Sequence, residues 1–472
     1  MPQRITTIVT SLALIGAIFA GVPSTVRANG FAPQDNTWVA TSGEPNGDNA
    51  GTSCADPGFV TDGSNDEVEV GYAVLDVNDG GTVHLCPGTY HFDWWVSTDK
   101  TFNLVGAGAT STIIDGGNTS RIIGTEGSLL RVEGLTMQNA RGFDEYEGGA
   151  ILALGSVEVT NVTFHHNFAN KGGGAIAAVG TVVAYDSVFT SNTAHDQGGA
   201  IASHSFVYAY DSSFTSNSSI ADENCVGGGG AIASADDVFV ERSTFTRNTA
   251  VVSTDLLTCE NNGNYGGSGG AIGTYAFAFV QDSTFSGNTA AVAGGAIMAL
   301  DLAPTGHTEF TIERSTFIKN RALVGGALYV SSGRTDITIT ITGNVFKGNM
   351  AKIGASKGSW LRTISGRGGA VYAQTQITMT NNRFSQNRAL VSGGAAYLLT
   401  GSDETLAAMT RNRFVANIGG KAGGAVGYNS ADTGSVPTRS ELRKALRANR
   451  FSSNDAPLGA SIGASKVAFL VR

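Results

Sequence analysis

The stretch GGAILALGSVEVTNVTFHHNFANKG at residues 148–172 is followed at once by GGAIAAVGTVVAYDSVFTSNTAHDQ at residues 173–197. Both begin with Gly-Gly-Ala-Ile, and both carry Phe-x-x-Asn at the same offset, since Phe164 follows Gly148 as Phe189 follows Gly173. Self-similarity at a fixed period of about 20–50 residues indicates a repeat architecture. The pattern continues through the rest of the chain.

Each of the two motifs occurs ten times. Gly-Gly-Ala begins at Gly148, Gly173, Gly198, Gly229, Gly269, Gly294, Gly325, Gly368, Gly393 and Gly423, with a degenerate copy at Gly459. Phe-x-x-Asn begins at Phe164, Phe189, Phe214, Phe245, Phe285, Phe317, Phe346, Phe384, Phe414 and Phe451. The shortest repeats have the length of 148–172, and longer repeats carry insertions after Phe-x-x-Asn or between Gly-Gly-Ala and Phe. A unit that is constant apart from loops at fixed places is one turn of a solenoid.

The turn of this solenoid is predicted to consist of strands. Residues 181–189 (TVVAYDSVF) and 277–285 (FAFVQDSTF) are short, β-branched, aromatic and roughly alternating. Three such strands and three turns fit into the shortest repeat, which is then one coil of a parallel β-helix. Coils stack about 4.8 Å apart, so equivalent residues form columns. We expect Phe in an interior column, Asn in a ladder of side-chain amides, and Gly-Gly-Ala at a turn that larger side chains would crowd.

Composition agrees with a large β-structure. Of 472 residues, 64 are Gly and 9 are Pro, while 41% are hydrophobic and 15% are charged. This hydrophobic content excludes a disordered chain. Collagen is excluded because glycine does not recur at every third position.

The N-terminal segment, residues 1–28, has the pattern of a secretory signal peptide. Arg4 precedes an apolar stretch at residues 5–22, and Val26 and Ala28 are small residues at −3 and −1 of a cleavage site. No other run reaches the roughly 18 apolar residues of a membrane-spanning helix. We therefore expect an exported chain with no integral membrane segment after signal removal.

Export makes the four cysteines candidates for disulfide bonds. Three pairings are open, and we favour Cys54–Cys86 with Cys225–Cys259. The second pair lies in loops inserted at the same point of consecutive coils, residues 218–228 and 249–268, which must leave the solenoid side by side. The alternative for Cys225 and Cys259 is a pair of buried free thiols.

The paired repeats resemble those of the chlamydial polymorphic outer-membrane proteins, and the resemblance covers residues 148–462. It implies the right-handed parallel β-helix of the pectate-lyase-like superfamily. Residues 80–90 (GGTVHLCPGTY) are similar to the opening coil of many secreted bacterial β-helices. We expect residues 29–79 to form an N-terminal segment, with a helical cap at residues 67–77, and residues 80–472 to form the β-helix. Because the repeats run almost to Arg472, we expect simple secretion.

The resemblance also implies a candidate chemistry, since β-helix enzymes of that superfamily cleave or epimerise acidic polysaccharides at a carboxylate or calcium site. Three residues before each Phe, Asp186 and Asp211 should stack one coil apart, near enough to share Ca²⁺. The interpretation we favour is an exterior ladder in which Asp211, Arg242, Asp282 and Arg314 alternate in sign. Such a ladder requires no cofactor, and the alternative is that the carboxylates bind Ca²⁺.

Charge is segregated along the chain. Residues 29–342 hold 11 basic and 34 acidic residues, a net charge of −23, and residues 343–472 hold 17 basic and 5 acidic residues, a net charge of +12. Sequence order is axial order in a solenoid, so we expect an acidic body and a basic end, or else merely solvated surface charge. The candidate binding residues are Lys352, Lys357, Trp360, Arg362 and Arg367 in the loop 350–367, and Arg439, Arg443, Arg447 and Arg450 at helical spacing in the insertion 438–450.

These patterns predict a secreted or cell-surface protein of the adhesion or interaction type, without catalysis, that binds through its inserted loops and basic end. The expected partner is an anionic glycan, a cell-envelope polymer or a protein ligand. Nucleic acid is not expected, because no recognised nucleic-acid module is present. The alternative is a lyase, epimerase or hydrolase of acidic polysaccharides. A cleft lined by convergent carboxylates and basic residues would favour the enzyme, and a smooth rod whose charges pair along the columns would favour the binding protein.

Overall fold

The computed structural model describes residues 34–45, 51–143, 148–221, 227–253, 266–301, 309–332, 337–352, 354, 364–374, 377–400, 408–430, 447–457, 462–464 and 467–469. Within these residues the chain is a right-handed parallel β-helix with one α-helix, Glu67–Asp76. Neighbouring strands in each long sheet come from successive coils, and parallel connections of this kind are right-handed. The predicted all-β solenoid is therefore confirmed.

Four parallel sheets run along the solenoid. The first sheet comprises Gln34–Ala40, Phe59–Val60, Val77–Leu85, Phe102–Gly106, Leu129–Glu133, Ser156–Thr160, Val182–Tyr185, Val207–Tyr210, Val238–Glu241, Ala278–Gln281, Glu309–Glu313, Thr338–Thr342, Ile377–Thr380 and Ala408–Thr410. The phenylalanine sheet comprises Gly88–His91, Thr112–Asp115, Thr136–Gln138, Thr163–His165, Val188–Thr190, Ser213–Thr215, Thr244–Thr246, Thr284–Ser286, Thr316–Ile318, Val345–Lys347, Arg383–Ser385, Arg413–Val415 and Arg450–Ser452.

The other two long sheets flank the glycine turn. The short sheet comprises Arg141–Gly142, Phe168–Ala169, Thr193–Ala194, Ser218–Ala221, Thr249–Val252, Thr289–Ala290, Arg321–Ala322, Met350–Ala351, Arg388–Ala389 and Ile418–Gly419. The glycine sheet comprises Val96–Thr98, Ile123–Thr125, Ile151–Ala153, Ile176–Ala178, Ile201–Ser203, Ile232–Ser234, Ile272–Thr274, Ile297–Asp301, Leu328–Ser332, Val371–Gln374, Ala396–Thr400, Val426–Ser430, Ile462–Ala464 and the antiparallel Val467–Phe469. A separate antiparallel pair is formed by Gly51–Ser53 and Asp56–Pro57.

From the first repeat onward a coil passes through four strands, whereas the sequence predicted three. The additional strand lies in the short sheet, directly after Phe-x-x-Asn, as at Phe168–Ala169. Most strands of this sheet are only two residues long. They were missed because two residues carry too little periodicity to predict a strand.

The Phe column is an interior stack, as predicted. All ten rings from Phe164 to Phe451 stack in order, with centroids of successive rings 4.7–5.0 Å apart. The rings from Phe164 to Phe414 are fully buried. The ring spacing matches the spacing of hydrogen-bonded strands, so the stack follows the coils in register.

The Asn column is a buried amide ladder. Asn248 is representative: its Oδ1 accepts from the backbone N and the Nδ2 of Asn217, at 2.9 and 3.0 Å. Its Nδ2 donates to the carbonyl of Phe214 and to Oδ1 of Asn288. Because the donors and acceptor of this amide are satisfied inside the core, the hydrogen bonds offset the cost of removing Asn248 from water.

A second ladder was not predicted. Two residues before each Phe from Phe189 onward, a side-chain oxygen accepts from the backbone N of the equivalent residue one coil earlier. Its members are Ser187, Ser212, Ser243, Ser283, Ser315, Asn344, Asn382, Asn412 and Asn449. It holds the corner between the first sheet and the phenylalanine sheet.

The Gly-Gly-Ala turn excludes larger side chains. Gly173 has φ 69°, and a Cβ built on it would lie 2.2 Å from the carbonyl oxygen of Ile176. A Cβ on Gly174 would lie 2.2 Å from the carbonyl oxygen of Gly199, one coil further on. Neither backbone atom can move away, so both positions require glycine.

The N-terminal end is built around the helix Glu67–Asp76. Its buried residues Val70, Ala73 and Val74 join the apolar core of the solenoid. The expected domain boundary at residue 80 falls inside the strand Val77–Leu85, and Gln34–Ala40 already pairs with that strand. The predicted disulfide Cys54–Cys86 is present, with the two Cα atoms 5.5 Å apart. The expected signal peptide, residues 1–28, lies outside the described residues.

Candidate functional site

The column of Asp186 and Asp211 forms an outer corner between the first sheet and the phenylalanine sheet. Every member is in the left-handed region, with φ between 46° and 70°. The members are Asn161, Asp186, Asp211, Arg242, Asp282, Arg314, Gly343, Asn381 and Arg411. Asn, Asp and Gly adopt this conformation more readily than other residues. The turn geometry alone therefore accounts for carboxylates at these two positions.

The structure brings Asp211 together with Arg242 from the next coil. Nε of Arg242 donates to Oδ1 of Asp211 at 2.8 Å, and Nη2 donates to Oδ2 at 2.7 Å. Arg314 binds Asp282 in the same way, at 2.9 and 3.0 Å. The hydrogen bonds from Arg242 hold the pKa of the Asp211 carboxyl below its usual range. The predicted ladder of alternating charge is therefore found.

The two candidate calcium ligands, Asp186 and Asp211, lie at the same corner of consecutive coils. Asp186 is exposed one coil before Asp211, and both oxygens of Asp211 are engaged by Arg242. Ca²⁺ takes six to eight oxygen ligands. Among the described residues no group of three His, Cys, Asp or Glu side chains could hold a metal ion. The two carboxylates do not fit the cation.

An aromatic strip on the outer face of the first sheet was missed by the sequence reasoning. Tyr208, Phe239 and Phe279 stack with ring centroids 4.7 Å apart. They stand six residues before Phe214, Phe245 and Phe285, a fixed offset that could have revealed them.

A shallow depression of about 180 Å³ lies over this strip, and Glu241 and Glu313 are part of its lining. These carboxylates contact Arg242 and Arg314 respectively. Each of these glutamates is paired with the arginine that follows it in the same coil.

The predicted basic loop is described only in part. Lys352 is exposed just after the strand Met350–Ala351. Arg367 is half-buried, and its guanidinium lies over the ring of Tyr397 at 5.0 Å from the centroid, so it is partly engaged within the protein. The other predicted residues of this loop, Lys357, Trp360 and Arg362, lie outside the described residues.

The insertion 438–450 ends in a turn and the start of a strand. Arg447 is exposed in a turn, and Arg450 begins the strand Arg450–Ser452. Arg450, the last of the four arginines at helical spacing, therefore lies in a strand. Its strand pairs with Arg413–Val415, because the next residue, Phe451, stacks on Phe414. Arg439 and Arg443 lie outside the described residues, as do Cys225 and Cys259.

Arg450 belongs instead to a row that the sequence reasoning missed. Strand register places Arg383 opposite Arg413, and Arg413 opposite Arg450. All three side chains are exposed, and none forms a salt bridge with a described residue. The available signal was the residue immediately before Phe in the last three repeats. We call this row the arginine column.

In the described part of the chain, no helix has the length and apolar character to cross a membrane. Three segments match the Chlamydia polymorphic membrane protein (Chlamydia_PMP) repeat: residues 161–179, 186–204 and 282–300. The resemblance inferred from the motifs is therefore confirmed for these repeats. No curated protein matches the chain.

Two solved structures are similar. One is the A-module of mannuronan C-5 epimerase AlgE6 from Azotobacter vinelandii, at 12% identity, with 86% of this chain and 94% of that chain covered and a TM-score of 0.30. The other is ORF18 of Geobacillus virus E2, at 11% identity, with 86% and 57% covered and a TM-score of 0.23.

Proposed function

We propose that this protein is an exported, surface-located interaction protein that binds an anionic glycan or cell-envelope polymer through its basic C-terminal end, without catalysis. A rigid solenoid with inserted loops suits this role, because binding residues are commonly carried on loops held by a rigid scaffold. The Chlamydia polymorphic membrane protein repeats support a surface location of the adhesin type.

The observation that carries the proposal is the axial order of the charges. Sheet order follows chain order coil by coil. The net charges of −23 for residues 29–342 and +12 for residues 343–472 are therefore separated along the solenoid. A surface of one sign attracts a polymer of the other and raises the rate of encounter.

The pairing of charges on the acidic body supports binding at the basic end. Arg242 and Arg314 each engage an Asp one coil back and a Glu beside them. The exposed cations Lys352, Arg447 and Arg450 form no salt bridge with a described residue. As far as the described residues show, these cations are available to neutralise an external polyanion.

The test is retention on immobilised polysaccharides. The purified protein is passed over a uronate-rich glycan, a sulfated glycan and neutral dextran, and product formation is recorded with and without Ca²⁺. We expect salt-sensitive retention on the anionic supports alone, weakened in Arg439→Gln/Arg443→Gln/Arg447→Gln. The matched control, Arg131→Gln/Arg242→Gln/Arg314→Gln, makes the same change of charge on the acidic body and should be retained like the parent.

The alternative function is a lyase, epimerase or hydrolase of acidic polysaccharides. Turnover that disappears in Asp186→Asn or Asp211→Asn would overturn the proposal and assign catalysis to these carboxylates. Equal retention on neutral dextran, or equal loss in the control variant, would also overturn it.

A further inference from the structure

The arginine column is regularly spaced along the solenoid axis. Each of its members directly precedes a phenylalanine of the interior stack, and the last three rings have centroids 4.9 Å apart. The backbone positions of Arg383, Arg413 and Arg450 therefore follow one another at about 4.9 Å, the distance between neighbouring strands in a sheet. The row spans about 10 Å along the axis.

Stacking of coils does not explain three like charges in register. In earlier repeats the same column is uncharged, with Thr163, Val188, Ser213, Thr244, Thr284, Thr316 and Val345. Like charges directly opposite each other destabilise a sheet. Elsewhere this chain places opposite charges one coil apart, as at Arg242 and Asp211.

Further exposed cations flank the column. Arg411 lies at the corner just before Arg413, and Lys347 lies on the strand one coil before Arg383. Arg388 begins the adjoining strand of the short sheet and is exposed. The acidic residue described in this region, Asp455, is exposed in the last coil beside Ile418. The surface is therefore strongly basic over three consecutive coils.

We infer that the arginine column is a binding site for a linear polysaccharide bearing sulfate or carboxylate groups, which lies along the solenoid axis. The inference rests on the proposed function and names the surface and the ligand geometry. The planar guanidinium fork binds oxyanions through two parallel hydrogen bonds. An anionic chain laid along the column neutralises the three guanidinium groups in turn and releases counterions.

A glycan fits this surface better than a nucleic acid. Single-stranded nucleic acids are bound in basic grooves that also carry aromatic side chains on which bases stack. On the same strands, the residues that follow the phenylalanines are Ser385, Val415 and Ser452. The phenylalanines themselves are turned into the core. The described part of this surface offers hydrogen-bond donors and positive charge without a stacking platform.

The test compares two double variants of the purified full-length protein. Arg383→Gln/Arg413→Gln removes two members of the column, and Arg242→Gln/Arg314→Gln removes two exposed arginines that are paired with carboxylates. Affinity for heparin (sulfate and carboxylate), polygalacturonate (carboxylate alone), dextran and a single-stranded DNA oligonucleotide is titrated over a series of salt concentrations. Circular dichroism confirms that each variant is folded.

We expect the column variant to lose about tenfold or more in affinity for an anionic glycan, and the slope of log K against log salt to fall by about two. The paired-arginine variant should stay within about twofold of the parent. The two anionic glycans tell sulfate from carboxylate recognition.

Equal losses in both variants would overturn the inference, as would tighter binding of the DNA than of either glycan. Retention that depends on Arg439 and Arg443 but not on Arg383 and Arg413 would keep the proposed function and reject this site. Absence of any glycan binding by the parent would reject both.

Discussion

The guanidinium of Arg242 binds both carboxylate oxygens of Asp211 across one coil, at 2.8 and 2.7 Å. Both residues occupy left-handed turn positions, with φ 48° and 51°, so the pair is placed by the corner of the coil. Towards the C-terminal end of the solenoid, Arg413 has arginines before and after it in the same column. The solenoid thus stacks paired charges along its acidic body and like charges along its basic end.

The first prediction concerns the pH dependence of that pair. Arg242 lowers the pKa of Asp211, so the pair stabilises the fold above the unfolded pKa of about 3.8 and the effect is lost as pH falls through the folded value. Asp211→Asn should therefore lower the midpoint of urea unfolding at neutral pH, and the difference from the parent should vanish in acid. The control is Asp186→Asn, at the same corner one coil earlier. An equal effect in this control would contradict the assignment.

The second prediction tests the interior stack. Phe245 is fully buried between Phe214 and Phe285, with ring centroids 4.7 Å away on each side. Phe245→Ala should lower the free energy of unfolding by about 3–5 kcal/mol, because it removes a buried ring and leaves a cavity. Phe239→Ala, on the outer face of the same coil, should cost much less in a denaturant titration. A near-neutral result at Phe245 would contradict the column assignment.

The third prediction concerns the amide ladder. Asn248→Ala removes the acceptor used by the backbone N and Nδ2 of Asn217 and the donor used by the carbonyl of Phe214, all in the core, whereas Oδ1 of Asn288 keeps the backbone N of residue 248. Each buried group left without a partner costs about 1–3 kcal/mol, so the loss should reach at least about 3 kcal/mol. Ser216→Ala, at a half-buried turn position in the preceding coil, is the control and should be close to neutral. Calorimetric or denaturant unfolding of both variants measures the difference.

The repeat motifs predicted the β-helix, the Phe stack and the Asn ladder because an interior column requires the same residue type in every coil. Asn248 and Phe245 recur at fixed spacing, and such periodicity is visible without a structure. The short sheet was missed because strands such as Phe168–Ala169 are too brief to show a pattern. The composition of an outer column varies from coil to coil, so the sequence pattern did not single out Arg383 and Arg413. The strand register shows that they lie opposite each other.

The fourth prediction uses a strained turn residue. Ala416 has φ 52°, in a column where Gly287 and Gly348 have φ 67° and 65°. A left-handed conformation costs a non-glycine residue about 1–2 kcal/mol, part of which glycine recovers. Ala416→Gly should therefore raise the free energy of unfolding by about 0.5–1 kcal/mol. Ala351→Gly should instead lower the free energy of unfolding, because Ala351 is a buried residue of an extended strand.

The last prediction compares two exposed arginines whose substitution should change stability in opposite directions. Arg413→Gln removes the middle charge of the arginine column and so relieves two repulsions between register partners. In low salt it should raise the melting temperature and increase the free energy of unfolding by on the order of 0.5 kcal/mol. Arg242→Gln removes the partner of Asp211 and should lower the melting temperature. High salt screens exposed charges, so both differences should shrink together. Scanning calorimetry at low and high salt measures both differences. A fall in stability for Arg413→Gln would mean that the charges of the arginine column are paired within the protein and are not available to an anionic ligand.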